Sequence, residues 1–178
     1  MESRHINEVD AMLVFISGGV RSGKSSYAES LVDEYKNKVY IATAKVTDDE
    51  MKDRVLLHQE RRDGYRTIEA SHDLDSVLND LNAEDVVLLD CLTNWLTNEM
   101  FQNEIRLDVV DSMYETILKI NEKVNSLVIV SNDVFQGVSS YDAYTMRFLQ
   151  NLGELHQRVV KEADEVYELY AGIKLRRK

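Results

Sequence analysis

Six short apolar runs recur along the chain, each followed by a polar or amphipathic stretch. The first, 12–17 (MLVFIS), ends in a glycine turn and reads as a buried strand. Residues 24–37 follow with Ala28, Leu31, Val32 and Tyr35 at helical spacing. Residues 38–44 (KVYIATA) read as a second strand and 65–70 (YRTIEA) as a short alternating one. Between them, 47–62 read as a helix opened by Thr47, with Glu50 completing a capping box. Leu74, Val77, Leu78 and Leu81 give one apolar face to a short helix over 71–82. The run 85–90 (DVVLLD) is apolar nearly throughout, which suits a strand covered on both faces. The pattern then predicts helices over 92–102 and 107–124, a strand over 126–132, a loop over 133–140, a long helix over 141–163 and a last strand over 165–171.

Strands alternating with helices at this spacing imply one α/β domain around a mainly parallel sheet. Residues 12–178 form that domain and 1–11 an N-terminal extension. Such sheets bind ligands at the carboxyl ends of their strands. With 178 residues, 44% of them apolar, the chain can bury a sizeable core. No apolar stretch approaches the ~18 residues of a membrane span. The start carries no apolar segment of a secretory signal, and the one cysteine, Cys91, fits a reducing cytoplasm. A net charge of −11 argues against a general nucleic-acid binder. The only basic cluster, 174–178 (KLRRK), reads as a solvated terminus.

Residues 18–25 read GGVRSGKS. Gly18, Gly23, Lys24 and Ser25 fit the pattern G-x-x-x-x-G-K-[ST], between an apolar strand and an amphipathic helix. Glycines let the backbone wrap a phosphate with its N–H groups inward, and the helix that follows adds its positive end. Lys24 can reach the β- and γ-phosphates and the Ser25 hydroxyl can ligate Mg2+. Asp90 ends the apolar run VVLLD and is the matching acid for that metal, or else the N-cap of the helix after it. The expected fold is therefore a three-layer α/β sandwich of the P-loop NTPase type.

Further stretches are family-specific: SGGVRSGKSSYAE with Arg21 inside the loop, YIATA, DDEM followed by Arg54, His58, Arg61 and Arg62, and LLDCLTNWLTN. On these residues the chain resembles the bifunctional adenosylcobinamide kinase / adenosylcobinamide-phosphate guanylyltransferase family, over about 12–172 and most densely up to Asn98. The resemblance implies two reactions of cobalamin assembly. A nucleoside triphosphate, ATP or GTP, phosphorylates the hydroxyl arm of adenosylcobinamide. GTP then transfers GMP to that phosphate through a GMP–histidine intermediate, with His58 in the histidine's place beside the catalytic Lys24. A neutral imidazole is a competent nucleophile near pH 7.

The resemblance also implies nucleotide contacts from the loop, Gly18, Gly19, Val20, Arg21, Ser22, Gly23, Lys24 and Ser25. Further contacts are implied at Thr43 and Ala44, at Gln59, Glu60, Arg61 and Arg62, and at Glu69 and Asp90. Mg2+ is expected on Ser25 and Asp90, and a homo-oligomer is expected. His5, His72 and His156 read as structural or solvated, Cys91 as a packed small residue, and Trp95 as core or subunit interface. The chain departs from the family where Phe135 replaces a glycine, Ser139 a proline, Leu149 and Gln150 an Arg-Asp pair, and His156 an asparagine. These departures spare the phosphate loop, Asp90 and His58. Two other readings stay open: a single-activity P-loop kinase of a small metabolite, and a GTP-binding protein that has lost one activity.

Overall fold

The computed structural model describes residues 11–45, 63–102, 104–135 and 142–178. Successive side chains of a strand point to opposite faces of its sheet. On β1 (Met12–Gly18), Leu13 and Phe15 enter one core cluster while Val14 and Ile16 enter another. The same division recurs on β4 (Val86–Asp90) and β5 (Ser126–Asn132), whose apolar residues are buried on both sides. This explains why these three runs carry almost no polar position.

The remaining strands are β2 (Lys38–Ala42), β3 (Tyr65–Glu69), β6 (Glu165–Tyr170) and β7 (Ile173–Arg176). Their order is β3-β2-β4-β5-β1-β6-β7, parallel throughout except for the β6–β7 pair. Helix α1 (Lys24–Val32) packs Ala28 and Val32 on one face. The other face is covered by a 3-10 helix (Leu74–Asp80), α2 (Leu92–Phe101), α3 (Val110–Lys123) and α4 (Ala143–Glu162). The result is the expected three-layer sandwich.

Three expectations need correction. The first helix stops at Val32, with the Asp33 N–H closing on Glu29 O, rather than at 37. Within 71–82 only Leu74–Asp80 are helical, and as a 3-10 helix, with Leu74 and Val77 buried at the three-residue spacing that such a helix eclipses. The basic tail is exposed as expected, but it is structured. Residues 173–176 add an antiparallel strand, and Arg176 and Arg177 pair with Glu165 and Glu168 of β6. The Thr47 cap and the helix over 47–62 lie outside the described residues.

Candidate functional site

The strand ends line up along one edge of the sheet. Gly18 of β1 is level with Asn132 of β5, and Ala42 of β2 is level with both Asp90 of β4 and Glu69 of β3. Neighbouring strands lie ~4.8 Å apart, so Asp90 stands roughly 10 Å across the sheet from Gly18 and Glu69 roughly 19 Å. The structure thus groups Gly18–Ser25 with Asp90 and sets Glu69 at the far edge. Gln59, Glu60, Arg61, Arg62 and His58 lie outside the described residues.

The phosphate loop owes its shape to two left-handed residues, Arg21 at φ 57° and Gly23 at φ 93°. Gly23 caps α1, so the first N–H groups of the helix face the loop. Ser22 N–H donates to Gly19 O at 3.2 Å, and the buried Lys24 donates its Nζ to the same oxygen at 3.1 Å. That contact holds the ammonium at the mouth of the loop. The Ser22 hydroxyl is buried with no hydrogen-bond partner among the described residues. Val20, Arg21 and Gly23 are exposed, and Gly19 and Ser25 are half-buried.

Asp90 is not the cap of α2. Cys91 holds that position, with no side-chain cap bond. The Asp90 carboxylate instead accepts from Tyr40 Oη at 2.9 Å, a contact that aims it, and it remains half-buried at the strand end. Beside it, the Asp90–Cys91 peptide is cis. Cys91 is packed as expected, and burial, with the Asp90 charge, pushes its thiol up to about 12. A protonated thiol at neutral pH is no nucleophile.

Thr43 is fully buried. Its hydroxyl accepts from Cys91 N at 2.7 Å and donates to Cys91 O at 2.8 Å, while its N–H donates to Asp90 O at 3.0 Å. It therefore holds the Asp90–Cys91 turn in place. Ala44 is half-buried beside it. Glu69 is exposed and lines a cleft of about 340 Å3 together with Ile68, Ala70, Ser71, His72 and Val77.

The segment LTNWLTN explains itself only in three dimensions. Asn98 of α2 donates to Thr43 O and to Ser71 O, both at 2.8 Å, and so joins the ends of β2 and β3. At the start of the same helix, the Thr93 hydroxyl accepts from Asn132 N at 2.9 Å and bonds Ser131 Oγ at 3.0 Å, which adds β5. Trp95 is core, 1% exposed, with its indole N–H on Glu99 at 3.0 Å, so it has no surface for a subunit contact. The helix is a brace across three strand ends.

Two further groups stand beside the loop. Asp133 follows β5 between the loop and Asp90, and its N–H donates to Gly18 O at 2.9 Å. The β6–β7 hairpin tip touches the loop itself: Gly172 N–H donates to Ser22 O at 2.9 Å. The signal for the tip was Ala-Gly between two short β-rich runs, the length of a two-residue hairpin turn.

A parallel sheet, a glycine-rich loop opening a helix and an acid two strands away define a P-loop NTPase fold. The chain superposes on a prototypical ATPase of a bacterial type III secretion system with a TM-score of 0.55 at 10% identity, covering 90% of this chain and 51% of that one, about half its length. The family described as cobinamide kinase / cobinamide phosphate guanyltransferase matches residues 14–177, and the chain belongs to it. It is 32% identical over 176 residues to the bifunctional adenosylcobalamin biosynthesis protein CobU of Escherichia coli strain K12, covering 91% of this chain and 97% of that one. It is 35% identical over 162 residues to the corresponding CobP protein of Pseudomonas aeruginosa, covering 89% and 92%. No helix among the described residues is long and apolar enough to cross a membrane.

Proposed function

We propose that the chain performs both reactions of its family: phosphorylation of the adenosylcobinamide hydroxyl arm, then transfer of GMP from GTP to that phosphate. The observation that carries this is the phosphate loop with Lys24 held at its mouth and Asp90 facing it across β5. Ser25 and Asp90 supply one hydroxyl and one carboxylate, hard oxygen donors that suit Mg2+, an ion that draws its other ligands from phosphates and water. When bound, Mg2+ neutralises the β- and γ-phosphates. Lys24 and the loop amides stabilise the charge that gathers on the departing phosphates.

In the kinase step the substrate hydroxyl oxygen attacks the γ-phosphorus and the nucleoside diphosphate leaves. We assign the removal of the hydroxyl proton to Asp133, whose backbone N–H is tied to Gly18 O and whose carboxylate accepts from the Phe135 N–H. In the second step a His58 ring nitrogen attacks the α-phosphorus of GTP, forming a P–N bond as pyrophosphate leaves. A phosphate oxygen of the corrinoid then displaces the histidine. The cleft at Glu69 is large enough to receive the guanine of that carried GMP, with the carboxylate accepting from its N–H donors.

The test is incubation with α-labelled GTP. Label that is acid-labile, base-stable and absent from His58→Ala supports the transfer step. A folded wild-type protein that binds nucleoside triphosphate but takes no label overturns the transfer step.

A further inference from the structure

Among the described residues the three most exposed large apolar side chains are Val20, Tyr170 and Ile173, at 85%, 72% and 62%. They are distant in sequence but belong to one place. Val20 lies in the phosphate loop, while Tyr170 and Ile173 flank the two-residue turn of the β6–β7 hairpin. The turn is tied to the loop by the Gly172 N–H bond to Ser22 O, and a Cβ on Gly23 would stand 3.6 Å from Gly172 Cα. Ala171 and Gly172 take left-handed φ values of 48° and 82°, which turn the chain back tightly enough to bring both flanking side chains to the tip. Below the tip, Lys174 lies 4.7 Å from the Tyr27 ring centroid and 5.6 Å from that of Tyr167, so its charge is held against those rings.

The direction of a bound nucleotide follows from the sheet order. A metal held by Ser25 and Asp90 would neutralise the terminal phosphates and draw them toward Asp90. Asp90 stands on the β5–β4 side of β1, so the terminal phosphate faces that side. The nucleoside end of the same molecule then leaves the loop toward the opposite side, which is β6 and β7. The exposed apolar side chains are found there.

We propose that Tyr170, Ile173 and Val20 seat the purine base of the nucleoside triphosphate whose phosphates are held by residues 18–25. This rests on the phosphate-loop reading above and adds the base to it. A ring stacks on Tyr170 and the two aliphatic side chains cover its edges. The seat is mainly apolar, so adenine and guanine are held alike. It lies on the other side of the loop from the Glu69 cleft, and the two bases of the reaction cycle therefore have separate places.

The experiment compares ligands with and without a base. Affinities of ATP, GTP and inorganic tripolyphosphate, each with Mg2+, are measured by titration calorimetry for the wild type, Tyr170→Ala, Tyr170→Phe and Ile173→Ser. Thermal melting confirms folding. The expected result is that Tyr170→Ala weakens ATP and GTP together by about 5- to 20-fold, the size typical of a lost base–aromatic stack. Tripolyphosphate affinity stays within about twofold and Tyr170→Phe behaves as wild type. Equal weakening of tripolyphosphate means the tip only shapes the loop, and overturns the base seat. Unchanged nucleotide affinities with a change of oligomeric state assign the patch to contact between copies and also overturn it. A wild type that binds none of the three ligands refutes the phosphate site itself, which is a different failure.

Discussion

At Gly18 the backbone leaves β1 so close to its neighbours that an added Cβ would lie 2.5 Å from Ser22 Oγ and 2.6 Å from Leu169 O. The second neighbour is backbone of β6 and cannot swing away. Gly18→Ala is therefore expected to cost about 1–3 kcal/mol of stability, as overpacking does, and to weaken tripolyphosphate binding. At Gly19, none of the described residues lies within 4 Å of such a Cβ. Gly19→Ala should leave stability within about 0.5 kcal/mol, like other open-site substitutions. Urea unfolding of the two variants, side by side, checks the contrast. The sequence pattern requires glycine at 18 and leaves position 19 free, and the positions of Leu169 and Ser22 give the physical reason. Lys24 and Ser25 were legible as candidates because the chemistry of phosphate dictates those residue types. The hydroxyl of Thr43 was not, because its partner is a backbone turn 48 residues later.

At the scale of elements, two of the departures from the family pattern, Phe135 after β5 and His156 on α4, meet. His156 lies edge-on between Phe15 and Phe135, with ring centroids 5.0 and 5.5 Å away, and its Nε2 bonds Ser131 Oγ at 2.7 Å. Gly153, one turn earlier on α4, leaves room for the Phe135 ring, which a Cβ there would approach at 3.8 Å. Two unusual residues thus pack on each other beneath the Thr93–Ser131 bond rather than intruding on the loop. Burial lowers the His156 pKa to about 4, only partly opposed by the Asp133 charge.

The folded state therefore refuses a proton that the unfolded chain takes up near pH 6.5. Stability is full above that pH and falls as the pH drops from about 6.5 to about 4, by roughly 3 kcal/mol at most, and then levels with respect to this group. His156→Phe removes that slope. Urea midpoints measured from pH 7 to pH 4 for the two proteins should converge as the pH falls. Equal slopes would show that the carboxylates, not His156, carry the acid sensitivity.

For the whole molecule, the last six residues link the edge of the sheet to the nucleotide loop. Deleting 173–178 removes β7, its ion pairs to Glu165 and Glu168, and the second leg of the turn that presents Gly172 to Ser22. The truncated chain is expected to melt at least about 5 °C lower, given ~2–4 °C per kcal/mol for a domain of this size, and to bind tripolyphosphate more weakly. Calorimetric melting and titration read both effects. Unchanged tripolyphosphate affinity would show that the loop keeps its shape without the hairpin.

The sequence by itself determined the layer order of the fold and the identity of the phosphate loop. Doubly buried strands must be apolar at every position, and a phosphate cradle must be glycine, lysine and serine at set spacing; both demands are local and survive in one dimension. It also supplied Asp90, because an acid ending an apolar run is a local feature too. Tertiary structure alone decided which of these groups meet. The strand order set Asp90 near the loop and Glu69 at the far edge, α2 became a brace for β2, β3 and β5, and a tail that read as solvent-borne charge became the strand whose turn grips Ser22. Each of these is a hydrogen bond or a packing contact between segments far apart in the chain, and no periodicity or composition of either segment encodes its partner.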